Sequence, residues 1–217
     1  MYTLYAREGA GSAIVEVLLE EAGLDYRIET VPRRTDSRFN PSFYEVNPLG
    51  QVPALVFPDG TVMTESGAIT LYFADLYPQL RLAPWPDSPQ RPNFLRWLFY
   101  LAANIYVSDI HIYFPARHST NPKHADAIKS AALAQMAHEW DVYAAALGSG
   151  PFILGEDLSA VDIYAAMLVA WDLDIPALFR RHPNIKTMYD RIIVHPVVAK
   201  VWARNAMHPW DVQAASA

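Results

Sequence analysis

Residues 47–78 read NPLGQVPALVFPDGTVMTESGAITLYFADLYP. Within this stretch, residues 52–57 (VPALVF) form a short apolar run that ends at the turn signal PDG. Residues 61–63 follow the turn and are expected to pair back on the first run as a hairpin. A helix then starts near Ser66 and ends before Pro78, because the residue preceding a proline is disfavoured in the α conformation. The stretch therefore predicts a β-β-α unit.

The segment before this unit predicts a β-α-β unit. Residues 2–6 (YTLYA) read as a strand, and the Gly-rich turn 9–11 follows. Ser12 is a suitable N-cap for a helix over 13–22, whose apolar residues have helical spacing. Residues 26–31 alternate like a second strand. Together the two units occupy about 80 residues and predict an α/β domain.

The rest of the chain predicts a second, all-helical domain. Prolines are concentrated around residues 81–92, which marks a linker, and no clear strand pattern follows it. The domains are therefore expected at 1–80 and 91–217, joined by a linker at 81–90. Helices are expected at about 91–117, 122–147, 159–171, 184–194 and 196–206.

Composition and charge exclude several classes of protein. The 217 residues are 52 % hydrophobic and carry a formal net charge of -6, which argues against a nucleic-acid partner. Because the chain has no cysteine, it has neither a disulfide nor a Cys nucleophile. No apolar run approaches the ~20 residues of a membrane span, and the start lacks an export signal, so we expect a cytoplasmic protein. His111 and His118 share a helix face, but no third ligand is suggested, and no metal site is expected.

A dinucleotide-binding fold is disfavoured. Gly9 and Gly11 fit the start of a G-x-G-x-x-G motif, and Glu29 lies at the right distance for the acidic residue. However, Ile14 replaces the third glycine, and the chain becomes helical too early for a doubly wound sheet.

Two further motifs each allow a functional and a structural interpretation, and a third is structural. A cis bond before Pro53 would turn the N–H and C=O of Val52 outward to pair with an extended peptide, whereas a trans proline would only open an edge strand. Ser66 and Glu65 could hold the two charges of an α-amino acid, or Ser66 could only cap its helix. The motif at 159–162 (SAVD) is a capping box, with no chemistry assigned to it.

These motifs together resemble the cytosolic glutathione transferases, along essentially the whole chain. Residues 47–78 look like the glutathione-binding stretch of that family, and 152–169 (FILGEDLSAVDIYAAMLV) look like its buried capping-box helix. Residues 18–29 and 182–198 are also typical. The resemblance, to bacterial-type members of no assigned class, implies a thioredoxin-like N-terminal domain, a C-terminal helical bundle and a homodimer that acts in detoxification.

The resemblance also implies roles for individual residues. A cis peptide before Pro53 would let the backbone of Val52 pair with the cysteinyl part of glutathione. Glu65 and Ser66 would hold the γ-glutamyl end, with help from Gln51. A basic or polar residue from the 32–40 region would meet the glycyl carboxylate, and Arg34 is the candidate there.

The chain departs from the family at the catalytic position. Tyr5 lies where some members have a catalytic Tyr, but Gly9 and Gly11 occupy the positions of the catalytic Ser and Cys. Ser12 follows and could favour the thiolate of glutathione, unless its hydroxyl is used for capping. The backbone N–H groups of residues 10–12 could also stabilise the thiolate, with weak or atypical activity as a consequence.

The resemblance places a hydrophobic second substrate between the domains, against the first turn and the first long helix. The residues expected to line its site are Tyr106, His111, Tyr113 and Trp171. The predicted function is transfer of the glutathione thiolate to a small hydrophobic electrophile, with glutathione as co-substrate and without a metal. The alternatives are a non-catalytic glutathione-binding or regulatory module, and a glutathione-dependent peroxidase, reductase or isomerase on the same fold.

Overall fold

The computed structural model describes residues 1–33 and 36–207, which form two compact units. The first unit comprises Met1–Trp85 together with the chain from Ile193 on, and the second comprises Pro86–Ile192. The contacts thus group the last helix with the N-terminal part of the chain, whereas the sequence-based division placed it in 91–217. The division at 80 and 91 remains a prediction.

A four-stranded mixed sheet forms the centre of the first unit. Its strands are β1 (Tyr2–Ala6), β2 (Tyr26–Thr30), β3 (Ala54–Val56) and β4 (Val62–Thr64), in the order β2-β1-β3-β4. β1 and β2 are parallel, as a strand–helix–strand crossover requires, and β3 runs antiparallel to both β1 and β4. The predicted β-α-β and β-β-α units are therefore both present.

Four helices accompany this sheet: α1 (Ser12–Glu21), α2 (Phe43–Val46), α3 (Ser66–Leu76) and α10 (Pro196–Arg204). α1 contacts β1, α3 and α10, and this explains why every residue from Ser12 to Leu19 is buried. The short helix α2 was not predicted from the sequence. Phe43 of this short helix is buried against Val31 and Ala54.

The starts of α1 and α3 differ from the prediction. Ser12 and Ser66 were expected as N-caps, but each is the first helical residue, and Gly11 and Glu65 occupy the N-cap positions. The hydroxyl of Ser12 is bonded to the backbone of Arg7 instead of the helix. The prediction that Ser12 is the N-cap of α1 is therefore wrong.

The second unit is helical throughout its described elements. They are α4 (Arg91–Tyr100), a π-helical segment (Leu101–Ile105), α5 (Tyr106–Tyr113), α6 (Ala125–Leu147), α7 (Ala160–Val169), α8 (Ile175–Arg181) and α9 (Pro183–Ile193). The helix expected over 91–117 ends at Tyr113, and a 3₁₀ turn begins at Pro115. α8 was not predicted. No helix among the described residues is long and apolar enough to cross a membrane.

The predicted capping box at the start of α7 is confirmed. The backbone N–H and hydroxyl of Ser159 donate to Oδ2 of Asp162 at 2.8 and 2.6 Å, and the N–H of Ile153 donates to Oδ1 at 2.8 Å. Burial raises the pKa of Asp162 to about 6, against the opposing effect of these hydrogen bonds. Because all ten residues of α7 are buried, this motif anchors the central helix of the unit.

Candidate functional site

Strand register brings three of the predicted motifs to one edge of the sheet in the first unit. β3 pairs antiparallel with β4 so that Ala54 lies opposite Thr64, and with β1 so that Ala54 lies opposite Tyr5. The residues just before Ala54 are therefore adjacent to those that follow Thr64 and to those that follow β1. Val52, Glu65 and the turn after β1 consequently share this edge.

The loop before β3 is held by Asn47, a buried residue to which the sequence analysis gave no role. Its Nδ2 donates to the carbonyl of Gln51 at 2.8 Å, and its Oδ1 accepts from the N–H of Leu49 at 3.1 Å. Its carbonyl also accepts from the N–H of Gly50 at 2.8 Å. An Asn followed by Pro and Gly is a turn signal, and this signal could have identified the residue.

The Val52-Pro53 peptide is cis, as the family resemblance implied. No hydrogen bond of the described residues involves the N–H or the C=O of Val52. The side chain of Val52 is partly buried against the cluster of Val31, Phe43 and Ala54. A backbone donor and a backbone acceptor are thus available at the start of β3, as strand addition by a peptide requires.

Glu65 has a backbone conformation that non-glycine residues rarely adopt. Its φ is 65° and its ψ is 104°, and such a conformation costs on the order of 1–3 kcal/mol. Its carbonyl accepts from the N–H of Ile69 at 2.9 Å, and the carbonyl of the buried Ser66 accepts from the hydroxyl of Thr70 at 2.7 Å. Strained residues of this kind are concentrated at ligand sites, and Glu65 stands at the N-terminus of α3, where backbone N–H groups attract an anion.

The turn after β1 is held by Ser12 and Arg7. The N–H of Arg7 donates to the hydroxyl of Ser12 at 3.2 Å, and this hydroxyl donates to the carbonyl of Arg7 at 3.1 Å. The side chain of Arg7 donates to the carbonyls of Val31 and Pro32 at 2.9 and 3.1 Å. Within the described part of the chain, the N–H groups of Gly11 and Ser12 have no acceptor. These two donors at the start of α1 can stabilise an anion.

Tyr5 and Arg34 are the two remaining residues that the sequence predicted for the site in this part of the chain. Tyr5 is partly buried, and its ring packs on Phe43 with 5.3 Å between centroids. Arg34, the candidate for the glycyl carboxylate, lies outside the described residues.

Three of the four residues predicted to hold the second substrate come together in the second unit. The rings of Tyr106 and Trp171 meet edge to face, with centroids 5.2 Å apart. The hydroxyl of Tyr113 donates to the carbonyl of Trp171 at 2.5 Å. His111 instead stacks on His118 at 3.7 Å between centroids, and burial together with His111 and Arg117 lowers the pKa of His118.

Comparisons with known proteins find glutathione transferases among the similar chains. Residues 12–76 match the model of the glutathione S-transferase N-terminal domain. The chain is 26 % identical to glutathione S-transferase GstA of Escherichia coli O157:H7 over 196 residues, which cover 90 % of this chain and 94 % of GstA. It is 27 % identical to the disulfide-bond oxidoreductase YfcG of Escherichia coli K12 over 209 residues, covering 92 % and 94 %.

A solved structure is similar to this chain over most of its length. The glutathione transferase homologue from Sulfitobacter, crystallised with bound glutathione, superposes with a TM-score of 0.83 and 28 % identity, covering 94 % of this chain and 98 % of the homologue. The chain thus carries a match to a glutathione S-transferase N-terminal domain and is similar to bacterial glutathione transferases over nearly its whole length. The predicted fold, a thioredoxin-like sheet domain with a helical domain, is confirmed.

Proposed function

We propose that this protein is a glutathione transferase that transfers the glutathione thiolate to a small hydrophobic electrophile. The observation that carries the proposal is the register that places Val52, Glu65 and the turn after β1 at one sheet edge. A tripeptide with a charged α-amino acid end and a central thiol has a partner for each of these three groups. Its charged end suits Glu65, its central residue suits the backbone of Val52, and its thiol suits the turn after β1.

The backbone of Val52 and the carboxylate of Glu65 would hold the glutathione peptide. The N–H and C=O of Val52, next to Pro53, pair with the cysteinyl residue of glutathione as an added strand would. The carboxylate of Glu65 holds the γ-glutamyl ammonium group, and the N-terminus of α3 at Ser66 holds its carboxylate. Gln51 is exposed beside them and supplies a further polar contact. Arg34 is assigned to the glycyl carboxylate from the family resemblance alone.

The N–H groups of Gly11 and Ser12 are the favoured groups for activating the thiol. A free thiol has a pKa of about 8.5, and donors at a helix N-terminus lower it by stabilising the thiolate. The hydroxyl of Ser12 supports this arrangement by holding the turn through Arg7. The phenol of Tyr5 and direct donation by Ser12 are the side-chain alternatives.

We assign the electrophile to the aromatic residues of the second unit. Tyr106 and Tyr113 both contact Trp171, and His111 belongs to the same helix, α5. Large aromatic faces suit an apolar substrate. A homodimer, a cytoplasmic location and a role in detoxification complete the proposal, and all three rest on the family resemblance.

A second candidate function is a glutathione-dependent reductase or related activity, because YfcG is named a disulfide-bond oxidoreductase. The absence of cysteine means that this chain could not form a mixed disulfide itself, so glutathione would supply every thiol. A glutathione-binding module without catalysis is the third possibility.

Calorimetric titration with reduced glutathione, combined with ultraviolet absorbance of the bound thiolate, tests the proposal. We expect binding, with a thiol pKa clearly below the free value of about 8.5. Glu65→Gln should weaken binding, and Glu45→Gln, at an exposed carboxylate of α2, should not. Binding without a lowered pKa would favour a module or a different glutathione chemistry, and absence of binding would refute the proposal.

A further inference from the structure

Arg7 joins the turn after β1 to the chain that leaves β2. Its carbonyl accepts from the N–H of Ala10 at 3.2 Å and from the hydroxyl of Ser12 at 3.1 Å. Its N–H donates to the same hydroxyl at 3.2 Å. The backbone of Arg7 therefore closes the turn that carries the N–H groups of Gly11 and Ser12, while its side chain reaches the segment after β2.

A proline ends the backbone pairing of β1 with β2 next to this side chain. The N–H of Val31 donates to the carbonyl of Ala6 at 2.8 Å and extends the pairing one residue beyond β2. Pro32 has no N–H, so the pairing cannot continue there. Nε and Nη2 of Arg7 instead donate to the carbonyls of Val31 and Pro32 at 2.9 and 3.1 Å. One planar guanidinium thus holds two successive carbonyls, and these two bonds are called the Arg7 clamp below.

Val31 connects the Arg7 clamp to the other half of the candidate site. It is 5 % exposed and forms a cluster with Phe43 and Ala54, on which the side chain of Val52 packs. The backbone of Val52 is proposed to pair with the cysteinyl residue of glutathione, and the turn after β1 is proposed to receive its thiol. The contacts of Arg7 and Val31 therefore link the two parts of the site that meet the same residue of the ligand.

We propose that Arg7 is a positioning residue that fixes the turn after β1 relative to the backbone of Val52. The N–H groups of the turn then meet the sulfur of a glutathione whose cysteinyl residue is paired with Val52. Hydrogen bonds weaken steeply as their geometry departs from linear, and a misplacement of about 1 Å can lower a rate roughly a hundredfold. Arg7 acts through the turn and does not itself bind the sulfur. The inference rests on the proposed transferase function.

Arg7→Met tests the role, because it removes every donor of the side chain and keeps most of its volume. We expect the pKa of the bound glutathione thiol, read from thiolate absorbance against pH, to rise by about one unit toward the free value of about 8.5. At a pH below both values, the thiolate fraction is then roughly tenfold smaller. The loss in kcat should shrink above about pH 9, where glutathione ionises without help from the turn.

Arg7→Lys separates the geometry of the Arg7 clamp from its charge. Lysine keeps the positive charge, but its ammonium is a point charge without the planar fork that holds both carbonyls. We expect the thiol pKa to rise in this variant as well. The same variant provides the measurement if Arg7→Met does not fold.

Arg27 offers a matched control on the same pair of strands. Its Nε donates from β2 to the hydroxyl of Thr3 on β1 at 3.0 Å, at an exposed position. Thr3 lies near the start of β1, whereas the turn follows its end. Arg27→Met should therefore leave the thiol pKa unchanged. Urea unfolding of all three variants measures the loss of stability separately from the pKa.

An unchanged thiol pKa in Arg7→Met, even with reduced stability, would make Arg7 a structural residue only and overturn the inference. The unaltered value in Arg7→Lys would assign the effect to charge and would also overturn it. Glutathione binding with a lowered thiol pKa in the unaltered protein leaves the transferase proposal intact in both cases. Absence of that binding would instead remove the proposed function, so the two failures are distinguishable.

Discussion

The hydroxyl of Ser12 illustrates how one hydrogen bond can decide between two roles. Ser12 is 1 % exposed, and its hydroxyl both accepts from and donates to the backbone of Arg7. A hydroxyl has only one proton, and here that proton is directed to a carbonyl. The residue is therefore better placed to hold the turn than to donate directly to sulfur.

We expect Ser12→Ala to reduce stability by about 1 kcal/mol, through loss of these hydrogen bonds, and to lower kcat by only a few-fold. Urea unfolding and steady-state kinetics with a reference electrophile measure the two effects. Tyr5→Phe, which removes only a phenol oxygen, is the control for a side-chain donor. A fall in kcat of about a hundredfold in Ser12→Ala, with stability unchanged, would show direct donation to the thiolate.

Asn47 holds the loop before β3 at the candidate site through three hydrogen bonds. We expect Asn47→Ala to weaken glutathione binding roughly tenfold, because the carbonyl of Gln51 and the N–H of Leu49 lose their partners beside Val52. Calorimetry measures the affinity.

Asn40 provides a matched control for this substitution. Its Oδ1 accepts from the N–H of Ser42 at 3.0 Å, two residues on, in the same way that Asn47 accepts from Leu49, but Asn40 is exposed. Asn40→Ala should leave the affinity unchanged. Equal affinities for both variants would mean that the loop keeps its shape without Asn47.

At the scale of elements, the docking of α10 on α1 depends on a network of charges. Arg204 lies 2.9 Å from Glu16 and 2.6 Å from Glu20, and Lys200 donates to Glu20 at 2.8 Å. Nδ2 of Asn205 donates to Glu16 at 2.8 Å. α10 thus holds the helix that begins at the candidate thiolate-binding turn.

The network makes stability depend on acid pH. Burial alone would raise the pKa of Glu20, but hydrogen bonds from Lys200, Arg204 and Tyr26 outweigh it and lower the pKa to about 2. A lowered pKa stabilises the fold above the ordinary value near 4.5, and this contribution is lost as the pH falls toward 2. Because the side chains of Lys200 and Arg204 are 57 % and 40 % exposed, solvent screens these ion pairs, and the contribution of Glu20 is on the order of 1 kcal/mol.

We therefore expect Glu20→Gln to lower the free energy of unfolding at pH 7 and the deficit to shrink as the pH falls below 4.5. Urea unfolding at a series of pH values measures this, with Glu8→Gln at an exposed carboxylate as control. A deficit of the same size at every pH would contradict the ionic origin. Glu16 works in the opposite direction, since burial raises its pKa against the effects of Asn205 and Arg204.

The secondary-structure elements differ in how well local sequence predicts them. The strand and helix types of the first unit follow from periodicity and turn signals. The N-caps do not, because Ser12 had a competing partner in Arg7, five residues earlier. α2 was missed because a four-residue helix that buries Phe43 has too few residues to display a period.

Glutathione binding should stabilise the entire chain against thermal unfolding. A ligand that binds only the folded state at a hundred times its Kd contributes about 2.7 kcal/mol, or roughly 5–10 °C in Tm for a chain of this size. Thermal scans with increasing reduced glutathione measure the shift, and cysteine alone at the same concentrations is the control. An equal shift with cysteine would indicate binding of the thiol without recognition of the tripeptide.

Local sequence predicted the strand order along the chain, the hairpin and the capping box of α7, because these depend on neighbours within a few positions. The family resemblance supplied the residues of the candidate glutathione site. The folded structure was needed to show that Asn47 holds the loop before β3, that Arg7 engages Ser12 and that α10 packs on α1. It also brought the ring of Tyr106 into contact with that of Trp171, 65 positions away along the chain. Contacts of this kind are set by strand register and helix packing, which a single sequence does not specify.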